Sequence, residues 1–165
     1  MNCQTCCVTG NRPQKFPWKY GEWKEHKKYL AEITRQIEKL IGSGYTYFIS
    51  GGAIGVDMDF AEAVLQAKKH HKNVVLEIAV PCRNQDLKWS KDDKKRYVEI
   101  LKSADHVNIL SENYTYFCMQ KRNEYMVNKS DLVIAFWNGE ESGGTWNTIN
   151  YAKRKSKQLL INKLS

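Results

Sequence analysis

A chain of 165 residues, 42% hydrophobic and 27% charged, has the size of one ordinary domain and can bury a core without disulfide or metal staples. No apolar run approaches the roughly 20 residues that cross a bilayer, and Met1-Asn2-Cys3-Gln4-Thr5 lacks the basic and apolar regions of a secretory leader. A soluble, cytoplasmic protein with no membrane partner is therefore expected, and 26 Lys and Arg against 18 Asp and Glu, a net charge of +8, favour anionic partners.

Cys3 to Val8 reads as a short first strand, closed by the turn Thr9-Gly10-Asn11-Arg12-Pro13. Phe16 to Tyr20 is an aromatic and basic loop. Glu22 to Ile41 carries apolar residues at Tyr29, Leu30, Ile33, Ile37, Leu40 and Ile41, a helical pattern that Gly42 and Gly44 end. Tyr45 to Ile49 is β-branched or aromatic and predicts a buried strand. It runs into Ser50-Gly51-Gly52-Ala53-Ile54-Gly55-Val56-Asp57, from which a helix to about Lys69 leaves with Met58, Ala61, Val64 and Leu65 on one face. Val74 to Val80 reads as a strand covered on both faces and stopped by Pro81, and the polar segment Cys82 to Trp89 again lies at a strand's C-terminal end.

A helix from about Lys91 to Ser103, a short strand at His106 to Leu110 and a helix over Tyr114 to Lys129 follow. The last places Arg122 between Met119 and Met126 on one face. Asp131 to Trp137 is a fifth strand, and Asn138 to Thr145 repeats the earlier device of strand, glycine-rich turn and helix. That helix runs to about Lys155, and Leu159 to Ile161 adds a last strand. Strands alternating with helices predict one α/β domain, a single doubly wound, mostly parallel sheet with helices on both faces.

Glycines in the turn after the second strand strip away Cβ atoms, so backbone N–H groups there can face an anion with a helix N-terminus behind them. The turn is not a Walker A loop, since no Gly-Lys-Ser/Thr follows, and its adjacent first glycines do not fit G-x-G-x-x-G. Two such turns at one sheet edge predict a pocket for one phosphate-bearing molecule, to which Thr9, Gly10 and Arg12 contribute from the first turn. Trp18, Trp89 and Tyr114 are candidates to stack on a base. The basic clusters Lys68 to Lys72, Lys94-Lys95-Arg96 and Lys153-Arg154-Lys155 lie near predicted helix ends and read as solvated faces. Cys3-Gln4-Thr5-Cys6 is formally C-x-x-C but has no second Cys or His pair at zinc-like spacing; Cys6 and Cys7 fit a buried strand, and neither metal nor cofactor is expected.

Val8-Thr9-Gly10-Asn11-Arg12-Pro13, Ser50 to Asp57, Lys121-Arg122-Asn123-Glu124-Tyr125-Met126-Val127 and Gly143-Gly144-Thr145 together resemble the YpsA-like branch of the SLOG superfamily, over nearly the whole chain. That Rossmann-like superfamily also holds the lysine-decarboxylase-like phosphoribohydrolases, the DNA-processing DprA proteins and ligand-sensing domains of bacterial immune systems. The resemblance implies a nucleotide-derived ligand between the glycine loops and a homo-oligomer. In the phosphoribohydrolases a helix carries a catalytic arginine, which Arg122 matches, and a glutamate follows the threonine of Gly-Gly-x-Gly-Thr by three residues. Here that motif shortens to Gly143-Gly144-Thr145 and the glutamate position holds Thr148, which can neither stabilise an oxocarbenium-like centre nor activate water well.

The expected ligand-binding set is Thr9, Gly10, Arg12, Gly51, Gly52, Gly55, Asp57, Arg122, Gly143, Gly144 and Thr145, with no catalytic residue assigned. Asp57 is placed to bind ribose or to fix a loop; Glu140 and Glu141 are further carboxylates near the second loop. Three readings stand: a binder that senses or sequesters a nucleotide derivative such as an ADP-ribose-type molecule, including a phage-type sponge for an immune signal; a nucleoside 5′-monophosphate phosphoribohydrolase; and a single-stranded nucleic-acid module.

Overall fold

A computed structural model describes residues 3–165, so Met1 and Asn2 of the leader reading lie outside it. The chain runs β1 (Gln4–Gly10), a single 3-10 turn (Pro13–Lys15), α1 (Lys24–Gly42), β2 (Tyr45–Ser50), α2 (Val56–Lys68), β3 (Val75–Val80), α3 (Lys91–Ser103), β4 (His106–Ile109), α4 (Cys118–Lys129), β5 (Leu132–Trp137), α5 (Gly143–Arg154) and β6 (Gln158–Lys163). All six strands are parallel in the order β4-β3-β2-β1-β5-β6. The Rossmann-like α/β arrangement is thus as the alternation predicts.

Alternate residues of the buried strands serve opposite faces. Cys6, Val8, Phe48, Ile78 and Ile134 join a core with Ile33 and Ile37 of α1, Phe60 and Val64 of α2 and Tyr97 of α3, whereas Cys7, Ile49, Ala79 and Val133 pack against Met126 and Val127 of α4 and Ala152 of α5. Four strands are laid down in one direction from β1 to β4, and the chain then returns to place β5 on the other side of β1. The reversal opens a crevice between the C-terminal ends of β1 and β5, where open α/β sheets bind ligands. No helix is long and apolar enough to cross a membrane among the described residues.

The sequence misplaces several details. Tyr114 to Phe117 is not helical: α4 starts at Cys118, and Tyr114, Tyr116 and Phe117 are exposed. Helical spacing continued backward through those aromatics, but they have no apolar surface to cover. β1 extends past Val8 to Gly10 because Thr9 and Gly10 still pair with Ala135 and Phe136. β6 covers Gln158–Lys163, longer than Leu159 to Ile161. Arg96 is no solvated cation: it donates to Asp59 Oδ1 at 2.6 Å, to Glu62 Oε1 at 2.6 Å and to the Tyr20 hydroxyl at 3.0 Å, tying α3 to α2 and to the aromatic loop.

Glu77 interrupts the apolar run of β3 and is 1% exposed. Its carboxylate accepts from Lys129 Nζ at 2.7 Å, from the Tyr125 hydroxyl at 2.8 Å and from the Tyr47 hydroxyl, so it fastens the C-terminal half of α4 to the sheet. Burial pushes its pKa up, but the hydrogen bonds from Lys129, Tyr47 and Tyr125 outweigh burial and hold it below the usual glutamate value. A folded-state pKa depressed below the unfolded one adds stability that is present above the unfolded value and is lost as pH falls through the folded one. Glu77→Gln is therefore expected to cost about 1–3 kcal/mol at neutral pH. In urea melts the cost should shrink as pH drops below the ordinary glutamate range, and a cost constant across pH would refute this role.

Candidate functional site

The crevice holds a cavity of about 290 Å³. Its walls come from the end of β1 and the turn after it (Val8 to Arg12), the 3-10 turn (Gln14, Lys15), Ala53 of the first glycine turn and Asp57 of α2, α4 (Met119, Arg122, Asn123) and the turn into α5 (Glu140, Ser142 to Thr145). The structure thereby brings Thr9, Gly10, Arg12, Asp57, Arg122, Gly143, Gly144 and Thr145 together. Gly51, Gly52 and Gly55 are not among the lining residues.

The two glycine turns do different work. In the first, the expectation of N–H groups free to face an anion does not hold for those that are already committed: Gly52 N–H donates to Ser50 Oγ, Ala53 N–H to Asp57 Oδ2 and Val56 N–H to the Asn11 carbonyl. Its glycines instead make room for protein. A Cβ on Gly51 would overlap the Arg122 guanidinium and stand 2.7 Å from Asp57 Oδ2, and one on Gly52 would press on Ile78 and Tyr97. In the second turn, α5 begins at Gly143 with no side-chain cap, and the Ser142 hydroxyl donates to Glu140 Oε1 at 3.2 Å. The N–H groups of Gly143, Gly144 and Thr145, the first three of the helix, have no intrahelical acceptor and no other partner among the described residues, and all three residues line the cavity. Thr9 and Thr145 are largely buried, and their hydroxyls, which keep some contact with the open space, make no hydrogen bond among the described residues.

Arg122 is 4% exposed. Its Nη1 donates to the Gly51 carbonyl at 2.7 Å and, at longer range, to the Ala79 carbonyl and Gln85 Oε1; its Nε donates to Asn123 Oδ1 at 2.8 Å. Nη2 has only the Met119 sulfur, at 3.9 Å. No carboxylate lies within ion-pair distance of this guanidinium among the described residues, and burial pulls its pKa below the ordinary arginine value while the field of Asp57 opposes the drop. Asp57 is buried on the other side of Gly51. Burial raises its pKa, against the charge of Arg122, the Ala53 N–H and Arg12. Arg12 is exposed at the mouth and also lacks an ion-pair partner among the described residues.

Supporting residues escaped the sequence reading. Asn11 ties three loops: its carbonyl accepts from Val56 N–H, its N–H donates to the Phe136 carbonyl, and its Oδ1 accepts from Asn138 N–H at 2.8 Å. Its place between Gly10 and Arg12 in a turn was the available signal. Gln85 donates to the Gly51 carbonyl and to the Tyr97 hydroxyl behind Arg122, and only its position in a polar segment after a strand pointed to it. Of the proposed stacking rings, Trp18 packs on the core and donates to His26 Nδ1, Trp89 packs on Tyr97, and Tyr114 stays exposed. Thr148 is buried, and its hydroxyl donates to the Gly144 carbonyl at 2.8 Å rather than lining the cavity.

The fold and crevice define a Rossmann-like α/β protein with a polar cavity, lined by three cations and two carboxylates, at its strand-order reversal. The profile of the YspA SLOG family (YpsA) matches residues 6–163, and the chain belongs to that family. It is 38% identical over 140 residues to an uncharacterized SPbeta prophage-derived protein YoqJ of Bacillus subtilis, covering 77% of this chain and 81% of that one. It is also similar to UPF0398 proteins of Halalkalibacterium halodurans (30% over 126 residues, 75% and 67% of the two chains) and Bacillus thuringiensis (26% over 154 residues, 91% and 83%).

Proposed function

We propose that this protein binds a nucleotide-derived small molecule through its phosphate and senses or sequesters it in the cytoplasm without turnover. The observation that carries this reading is Arg122: a buried guanidinium in the cavity wall that touches no carboxylate, has Asp57 only as a near neighbour across Gly51 and keeps a nearly idle Nη2 is suited to compensation by an anion. The open N-terminus of α5 and the unpaired Arg12 supply further donors to a phosphate, the free hydroxyls of Thr9 and Thr145 reach the same space, and Asp57 is suited to ribose hydroxyls. Thr148 in place of a glutamate, with its hydroxyl committed to the α5 backbone, argues against glycosidic hydrolysis. The prophage origin of one relative agrees with a phage-type sponge for a signalling nucleotide, of which an ADP-ribose-type molecule is the favoured candidate. The proposal includes a homo-oligomer, for which exposed Tyr114, Tyr116 and Phe117 offer apolar surface.

One observation favours a second reading: Asp57, buried in the cavity wall with a raised pKa, has the environment of a general acid. Denaturing freshly purified protein and identifying the released small molecule by mass spectrometry, beside melting curves with a nucleotide panel, separates the possibilities. An intact nucleotide is expected. The matching compound at about 100 times its Kd should add about 2.7 kcal/mol, or about 5–11 °C in Tm. Free base accumulating during incubation would replace binding by hydrolysis, and single-strand affinity that falls steeply with salt would replace both by nucleic-acid binding.

A further inference from the structure

The mouth of the cavity contains an ion pair that the reading above leaves unused. Glu140 accepts from Lys15 Nζ at 3.2 and 3.1 Å, from Ser142 Oγ at 3.2 Å and from Asn138 Nδ2 at 3.4 Å. The lysine, the serine and the glutamate itself all line the cavity. The backbone of Glu140 is pinned independently, since its N–H donates to Asn138 Oδ1 at 2.9 Å and its carbonyl accepts from Trp137 Nε1 at 2.9 Å, while Trp137 stacks on Trp146 with ring centroids 5.1 Å apart. The side chain can therefore leave while the loop stays. Lys15 and Ser142 hold Glu140 Oε atoms as they would hold two oxygens of an external anion, and the donors come from segments on opposite sides of the crevice.

We infer that Glu140 occupies a second anion subsite, formed by Lys15, Ser142 and Asn138, which an outer phosphate of the ligand takes over, so that the protein selects a diphosphate-bearing nucleotide over a monophosphate. This rests on the phosphate-binding reading of the same cavity. Displacement is inexpensive: the Lys15–Glu140 pair is about half exposed on both sides, and such pairs contribute only about 0.2–1 kcal/mol. A phosphate carries more charge than the carboxylate it replaces, and Arg122 and the start of α5 lie in the same cavity to hold the inner phosphate.

The test uses inorganic phosphate and pyrophosphate, which report on the anion subsites whatever the base. Their affinities are measured by calorimetry on wild-type protein, Glu140→Gln and Lys15→Ala. Glu140→Gln frees Lys15 and is expected to raise the pyrophosphate-to-phosphate affinity ratio about two- to five-fold, the equivalent of removing one exposed ion-pair competitor. Lys15→Ala is expected to lower that ratio below wild type. A ratio unchanged in both variants would overturn the second subsite and leave the first intact, whereas failure of both anions to bind any form would overturn the phosphate-binding reading and the subsite with it. Both substitutions lie on exposed side chains, so a melting curve checks that each variant is folded.

Discussion

Arg122→Met is expected to weaken binding of a phosphate-bearing ligand by about 10- to 150-fold, the worth of one charge-assisted contact of about 1.5–3 kcal/mol, while the ligand-free protein melts within a few degrees of wild type. The two halves of this result have one cause. The guanidinium is buried without touching a carboxylate, so its hydrogen bonds to Gly51, Ala79, Gln85 and Asn123 and the nearby charge of Asp57 are offset by the cost of removing its charge from water. Methionine has a similar length, matches the apolar neighbours Met119 and Met126 and carries no charge to desolvate. Titration calorimetry with the ligand recovered from purified protein measures the first half and calorimetric melting the second. Unchanged affinity would make Arg122 a packing residue, and a collapse in Tm with normal affinity would show that its bonds to the loop carbonyls hold the fold.

Gly55→Ala in the first glycine turn should be strongly damaging, at about 2–5 kcal/mol and about 5–15 °C in Tm. Gly55 precedes α2 with φ 102° and ψ −132°, a conformation essentially restricted to glycine. A Cβ there would also meet backbone, the Asn11 carbonyl oxygen at 2.7 Å and Arg12 Cα at 3.0 Å, which cannot turn aside as a side chain can. Gly144→Ala is the control. Gly144 has no positive φ, and a Cβ there has nothing within 4 Å, so stability should change by less than about 0.5 kcal/mol. Equal melting temperatures for the two variants would show that the first loop tolerates the displacement of Asn11.

The contrast between these glycines shows what the sequence could and could not reveal. Element order and sheet type were legible because β-branched runs such as Val-Val-Leu-Glu-Ile-Ala-Val and helical stripes such as Ile33, Ile37 and Leu40 reflect burial directly. The crevice was legible as well, since two glycine-rich turns must both lie at the C-terminal edge of a parallel sheet. What fills the space beside a glycine was not. A missing Cβ admits a ligand's phosphate or a neighbour's side chain equally, and at Gly51 the occupant is the Arg122 guanidinium, 71 residues away. Glu77 and Arg96 were invisible for the related reason that a buried charge depends on partners from other elements. Tyr114 to Phe117 misled because aromatic spacing cannot tell a helix from an exposed loop.

The position of β1 at the centre of the sheet sets the order in which the molecule can assemble. This first strand pairs with β2 at once but must wait for β5, whose Leu132 emerges 122 residues after Gly10 (132 − 10). At synthesis rates of about 5–20 residues per second the interval is about 6–24 s. During it Cys6, Val8 and their neighbours present an unpaired edge to other chains. The long-range pairing makes the closing step slow and late, so the site between β1 and β5 comes into being only when the last third of the chain docks. Premature truncation anywhere before Trp137 should thus yield an aggregation-prone species rather than a smaller working domain.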